Sequence, residues 1–147
     1  MKIDEAVEQR VRDTLHWVVK QNPDEFDKAL RSFPDESSRL HALELLARIN
    51  AYAAIDVFGH RPSLAEIQVL AEKIARSEEW STASVSEIAT FLEAVLGGRA
   101  LSEALPADSA VFLSFIVAGN LLSSQPMPEG QWWFDYLDRV EAVIEKY

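Results

Sequence analysis

The sequence predicts an all-α fold, an irregular bundle of six or seven helices wrapped around one central apolar helix at about residues 107–123. Three observations carry that expectation. Apolar residues recur every three to four positions in successive segments, the repeat of a helix with one buried face. No segment keeps up the strict apolar–polar alternation of a half-buried strand. Asn, Asp or Ser followed by acids heads segment after segment, where a helix needs side-chain acceptors and negative charge for its unpaired amides. The 147 residues are expected to form one helical domain over 1–147, long enough to bury a continuous core without disulfides or a structural metal.

The first helix is expected from about Asp4 to Gln21, with Ile3, Val7, Val11, Leu15 and Val18 on its buried stripe and Glu8, Arg12 and Lys20 off it. Asn22-Pro23-Asp24-Glu25 starts a second, short helix: Asn22 caps, and Pro23 occupies the first turn, where no amide donor is required. It ends near Phe33-Pro34, because a proline ring cannot continue the hydrogen-bond ladder. Asp35-Glu36 opens a third helix running to about Phe58, with Leu40, Leu43, Leu46, Ala47, Ala53, Ala54 and Val57 inward and Gly59 as a left-handed cap.

Ser63-Leu64-Ala65-Glu66 and Ser84-Val85-Ser86-Glu87 are capping boxes, in which the serine and glutamate side chains satisfy amides at either end of the first turn. The helix from the first runs to about Ser77 and buries Leu64, Ile67, Leu70, Ala71 and Ile74; the second buries Val85, Ile88, Leu92 and Val95 and stops at Gly97-Gly98. A loop containing Leu105-Pro106 leads into Ala107–Ser123, which is apolar nearly all round and is therefore the helix that the others cover. The last helix is expected from Pro128 or Glu129, with Trp133, Tyr136, Leu137, Val140, Val143, Ile144 and Tyr147 inward.

Composition excludes several function classes. The chain has no cysteine, which removes thiolate chemistry, iron–sulfur clusters and cysteine zinc sites. Its net charge is −10, and residues 81–147 contribute nine acids against three bases, with no Lys or Arg between Arg99 and Arg139. A phosphate backbone is gripped by clustered cations, so direct nucleic-acid binding is not expected. The helix before Gly97 holds Glu87 and Glu93 and no base, which also argues against a DNA-reading helix. No run approaches the roughly 20 apolar residues of a membrane span. The acidic start, Met1-Lys2-Ile3-Asp4-Glu5, lacks a secretory apolar stretch, so a cytoplasmic location is expected.

Several residue groups have the chemistry of a site. His41 and Glu44 share a helix face at i and i+3, but the further Glu-x-x-His pairs of a carboxylate-bridged metal bundle are missing, so no metal or other cofactor is expected. His16 beside Trp17 reads as a packing residue. His60-Arg61, just ahead of the helix that Ser63 starts, are placed to bind an anion, although ordinary turn chemistry accounts for them as well. No serine lies in a nucleophile elbow, and no catalytic residue is expected.

Two aromatic groups point to a partner. Trp80 follows the acids Glu78-Glu79, as a contact point or as a ring tucked inward at a charged helix end, and Trp132-Trp133-Phe134 opens the last helix among Glu129, Asp135 and Asp138. Successive helical residues point about 100° apart, so Trp132 and Phe134 cannot both follow Trp133 and Tyr136 inward. Aromatic anchors ringed by charge are the composition of a binding edge. The expectation is a non-enzymatic protein-binding domain whose acidic face meets a basic protein partner, the character that immunity proteins, antitoxins and inhibitors of nucleic-acid enzymes present to basic targets. A homodimer through the C-terminal aromatic helix is the alternative, and a ligand- or metal-binding bundle the third. No motif is specific enough to name a family.

Overall fold

A computed structural model describes all residues, 1–147, and is all-helical. Its elements are α1 (Glu5–Val19), α2 (Pro23–Arg31), α3 (Glu36–Phe58), α4 (Leu64–Ser77), α5 (Val85–Gly97), α6 (Leu101–Ala104), α7 (Ala107–Ser123) and α8 (Trp133–Lys146), with a 3-10 turn at Glu79–Ser81. The caps read from the sequence form. Asn22 Oδ1 accepts from the Glu25 amide at 3.1 Å, Asp35 Oδ1 from Ser38 at 2.7 Å, and both serine–glutamate boxes close in both directions. Gly59 ends α3 at φ +72°, where a side chain would be strained.

The bundle thus has eight helices where six or seven were expected. The added one, α6, is a single turn in the loop before Pro106, too short to leave a periodic signal. The last helix begins at Trp133 instead of Pro128 or Glu129, because Pro128 to Gln131 forms a turn with Gly130 at φ +84°.

Every residue from Leu113 to Leu122 is buried, including Gly119 and Asn120, as an all-round apolar helix requires. Packing on α7 gathers two apolar groups. One joins Val11, Leu15, Val18, Phe26, Leu45, Leu46, Ile49, Phe115, Leu137 and Val140 from α1, α2, α3, α7 and α8. The other joins Ala53, Ala54, Ile67, Ile74, Ile88, Phe91, Leu92 and Val117 from α3, α4, α5 and α7. Helix α3 serves both, and its expected stripe holds in part: Leu46, Ala53 and Ala54 are inside and Leu43 and Ala47 half-buried, but Leu40 and Val57 are exposed, and Ala42, Leu45 and Ile49 are buried in addition. A helix covered on several sides has no single stripe for the spacing to find. Leu64 and Tyr147 were also expected inside and are exposed, Leu64 in the first turn of α4 and Tyr147 beyond the last turn of α8.

Polar side chains also tie the helices to one another, one of them deep in the core and one at its edge. Asn50 Nδ2 donates to the Ser114 carbonyl at 3.0 Å, joining α3 to α7. Tyr136 Oη donates to Asp56 Oδ2 at 2.6 Å, joining α8 to α3. Partial burial and the neighbouring Asp56 charge push the Tyr136 phenol pKa upward, so it stays a donor.

Candidate functional site

The aromatic run at the head of α8 is built by an unusual helix start. Trp132 occupies the N-cap position in extended conformation, φ −125° and ψ 174°, and an indole has no oxygen to cap with. Capping falls to Asp135, whose Oδ2 accepts the Trp132 amide at 2.8 Å while its own amide donates to the Trp132 carbonyl at 3.0 Å. The indole is therefore free to point outward, and Trp132 is 64% exposed. Trp133 turns inward against the α1–α7–α8 core. Phe134 stacks edge-on against Trp133, centroids 5.7 Å apart, and keeps 40% exposure.

Arg139 fastens the approach to this helix. Its guanidinium lies 5.5 Å from the Tyr136 ring centroid and donates to Gln131 Oε1 at 2.7 Å, so the segment before Trp132 is held to the helix face. Of the three acids named with these aromatics, Glu129 is exposed, Asp135 is engaged in capping, and Asp138 accepts from Arg12 at 2.7 Å while its side chain stays 61% exposed.

The other acidic-aromatic group is turned inward and does not form a contact point at the surface. Glu78 is buried: its Oε1 accepts from Trp80 Nε1 at 2.9 Å and its Oε2 from Asn120 Nδ2 at 2.9 Å. The carboxylate is spent joining the end of α4 to α7, and Trp80 packs edge-on against Phe26 at 5.9 Å. Of that group Glu79 alone is exposed. A dyad of hydrogen-bond donors reaching it from the fold explains how a charge sits inside.

The proposed anion loop is likewise filled from within. Glu66 accepts the Ser63 amide at 3.0 Å and lies 3.1 Å from His60 Nε2, so a carboxylate of the chain already occupies the start of α4. The Ser63 amide and the His60 contact hold the Glu66 carboxyl below its ordinary pKa. Arg61 is exposed beside it. His41 and Glu44 sit, both exposed, on an open groove of about 640 Å³ with Met1, Ile3, Arg48 and Tyr147. No three His, Asp or Glu side chains stand together in a metal-holding arrangement. No helix is long and apolar enough to cross a membrane.

One cluster escaped the sequence reading. Arg12 of α1 donates through Nε to Glu8 at 2.7 Å and through one terminal nitrogen to Asp138 at 2.7 Å and Glu141 at 3.1 Å. Burial works against the Arg12 charge, but the Glu8 and Asp138 hydrogen bonds outweigh it and raise its pKa. Glu141 is only 8% exposed. Burial first, and then the Glu8 charge, push its carboxyl up to about 7 in spite of Arg12. The signal was there to find, since Glu141 falls four residues after Leu137 and three before Ile144, on the buried stripe itself.

Comparison of the chain with protein-family models, with curated proteins and with solved structures finds no match in any of the three.

Proposed function

We propose that the protein is a binding module that docks a basic protein partner on the face around the start of α8. The observation that carries this reading is the outward Trp132, with Phe134 beside it, on a domain that buries nearly all its other large aromatics at least in part. A large ring on a pre-ordered backbone is an efficient anchor, because it buries much apolar area while losing little side-chain freedom. Glu129, exposed Asp138 and the excess of acids after residue 81 supply the complementary field for a cationic partner and repel polyanions.

On this reading the domain acts by binding and not by catalysis, in the cytoplasm, in the manner of an immunity, antitoxin or inhibitor-type protein that masks a basic surface. Its sites are Trp132 and Phe134, with Glu129, Asp135 and Asp138 around them. Self-association through the same aromatics is the competing reading. Affinity capture from the source cells, run in parallel with wild type and Trp132→Ala/Phe134→Ala, tests the proposal. It expects a basic protein retained by the wild type and lost by the variant, and sedimentation showing a monomer alone. An aromatic-dependent homodimer, or a captured partner indifferent to both substitutions, overturns it.

A further inference from the structure

The side chains joining α1 to α8 leave one carboxylate oxygen with nothing to bind. Helix α8 rests mainly on α3 and α7, and its charged link to α1 is Arg12. That single guanidinium serves three carboxylates, Glu8, Asp138 and Glu141. Its Nε donates to Glu8 Oε1 and its Nη2 to Asp138 Oδ1 and Glu141 Oε1, while Glu141 Oε2 is buried with no hydrogen-bond partner. An ionised carboxylate so placed lacks both water and a second donor, and it adds a third negative charge around one positive one. A proton on Glu141 removes that charge and leaves Arg12 facing two carboxylates.

From this geometry we infer that Glu141 is a proton-operated clasp: protonated, it lets α8 seat against α1, and ionised, it loosens α8 while the remainder of the bundle stays packed. The charged groups acting on it are Glu8 and Arg12 from α1 and Asp138 and Glu145 from α8 itself. From the leading segment, the Met1 ammonium donates to the Ile144 carbonyl at 3.3 Å, and Lys2 lines a shallow depression with Glu145. Helix α7 carries Asp108, in its first turn, as its one charged residue. On α3, Asp56 is engaged with Tyr136, and Glu44 and Arg48 line the groove beside Tyr147. None of these supplies Oε2 with a donor.

The sign follows from the folded pKa of about 7 against an ordinary 4.5. The carboxyl's favourable contribution is complete below the unfolded value and is lost as pH rises through the folded one. Between those limits unfolding releases one proton, so the unfolding constant of the wild type rises by up to about tenfold per pH unit relative to Glu141→Gln.

Hydrogen exchange, corrected for the intrinsic pH dependence of amide exchange, separates the clasp from general destabilisation. Between pH 4.5 and about 7 the α8 amides of the wild type are expected to lose protection relative to those of α4 and α5, with no further loss above that range, and the α8 amides of Glu141→Gln to keep theirs. Equal pH responses of α8 in the two proteins, or equal loss in α4 and α5, overturns the inference. Should Glu141→Gln not fold, the carboxyl carbon of Glu141 in the wild type can be titrated directly by NMR. A midpoint near neutrality supports the clasp, and a midpoint in the ordinary carboxylate range refutes it.

Discussion

Replacing Gly119 by alanine measures how tightly α1 and α7 are pressed together. In a free helix this exchange gains about 1 kcal/mol, because glycine is the poorer helix former. Here the added Cβ would stand against Val18 Cγ1 and 2.9 Å from Val18 Cβ. Carbon atoms in good contact lie about 3.5–4.0 Å apart. Val18 is fully buried, and a valine in a helix has one strongly preferred rotamer, so it cannot turn away and α1 itself must retreat. Val7, Val11 and Leu15 sit on the same face of α1, and their packing is disturbed with it. Overpacking costs about 1–3 kcal/mol. With α1 displaced along its length the upper part of that range applies, and the propensity gain leaves a net loss of about 1–2 kcal/mol. For a domain of this size that lowers Tm by about 3–8 °C. Urea unfolding of the wild type, Gly119→Ala, Val18→Ala and the double variant measures it. In the double variant the contact with Val18 Cγ1 is gone and only the one with the Cβ of residue 18, at 2.9 Å, remains, so the two changes should couple favourably by about 1 kcal/mol or more. Additive effects, or a Gly119→Ala protein more stable than wild type, would refute the close crossing.

Two further substitutions test the polar framework. Asn120→Ala removes the donor to buried Glu78 Oε2 and should cost about 2–3 kcal/mol in chemical denaturation, whereas a loss under about 0.5 kcal/mol would mean that Glu78 is solvated. Ser84→Ala opens the capping box of α5 and should cost about 1 kcal/mol; an unchanged denaturation midpoint would contradict the reciprocal cap seen there.

Local chemistry was legible in the sequence where a residue and its partner are a few positions apart. The caps at Asn22, Asp35, Ser63 and Ser84 follow from side chains that reach backbone within one turn, and the stop at Gly59 from a left-handed backbone that glycine adopts freely. Ile67, Leu70, Ala71 and Ile74 were readable because α4 has one buried face. On α3, which is covered from several directions, Leu46, Ala53 and Ala54 were read correctly, but apolar spacing no longer distinguishes Leu45 from Leu40. What α8 offers to solvent was half legible. Helical geometry required one of its rings to be left outside, but the position of Trp132 depends on Asp135 taking over the cap. Pairings across large sequence distances left no signal: Glu78 with Asn120, Asp56 with Tyr136, and Arg12 with Asp138 and Glu141. Those pairings change the meaning of the charges. Glu78 becomes internal structure, Asp138 is shared with Arg12, and Glu66 closes the loop at His60 and Arg61 from within.

The central claim is that Trp132 and Phe134 anchor a basic partner which the acidic surface attracts. Titration of the captured partner against wild type, Trp132→Ala and Glu129→Gln/Asp138→Asn, at ionic strengths from about 0.05 to 0.5 M, addresses both parts together. The account expects Trp132→Ala to remain as stable as wild type within about 0.5 kcal/mol yet to bind at least about tenfold more weakly, chiefly through faster dissociation. It expects the charge variant to associate more slowly at low salt and to converge with wild type as salt rises. Full affinity in Trp132→Ala, together with binding that does not change with salt, would contradict it.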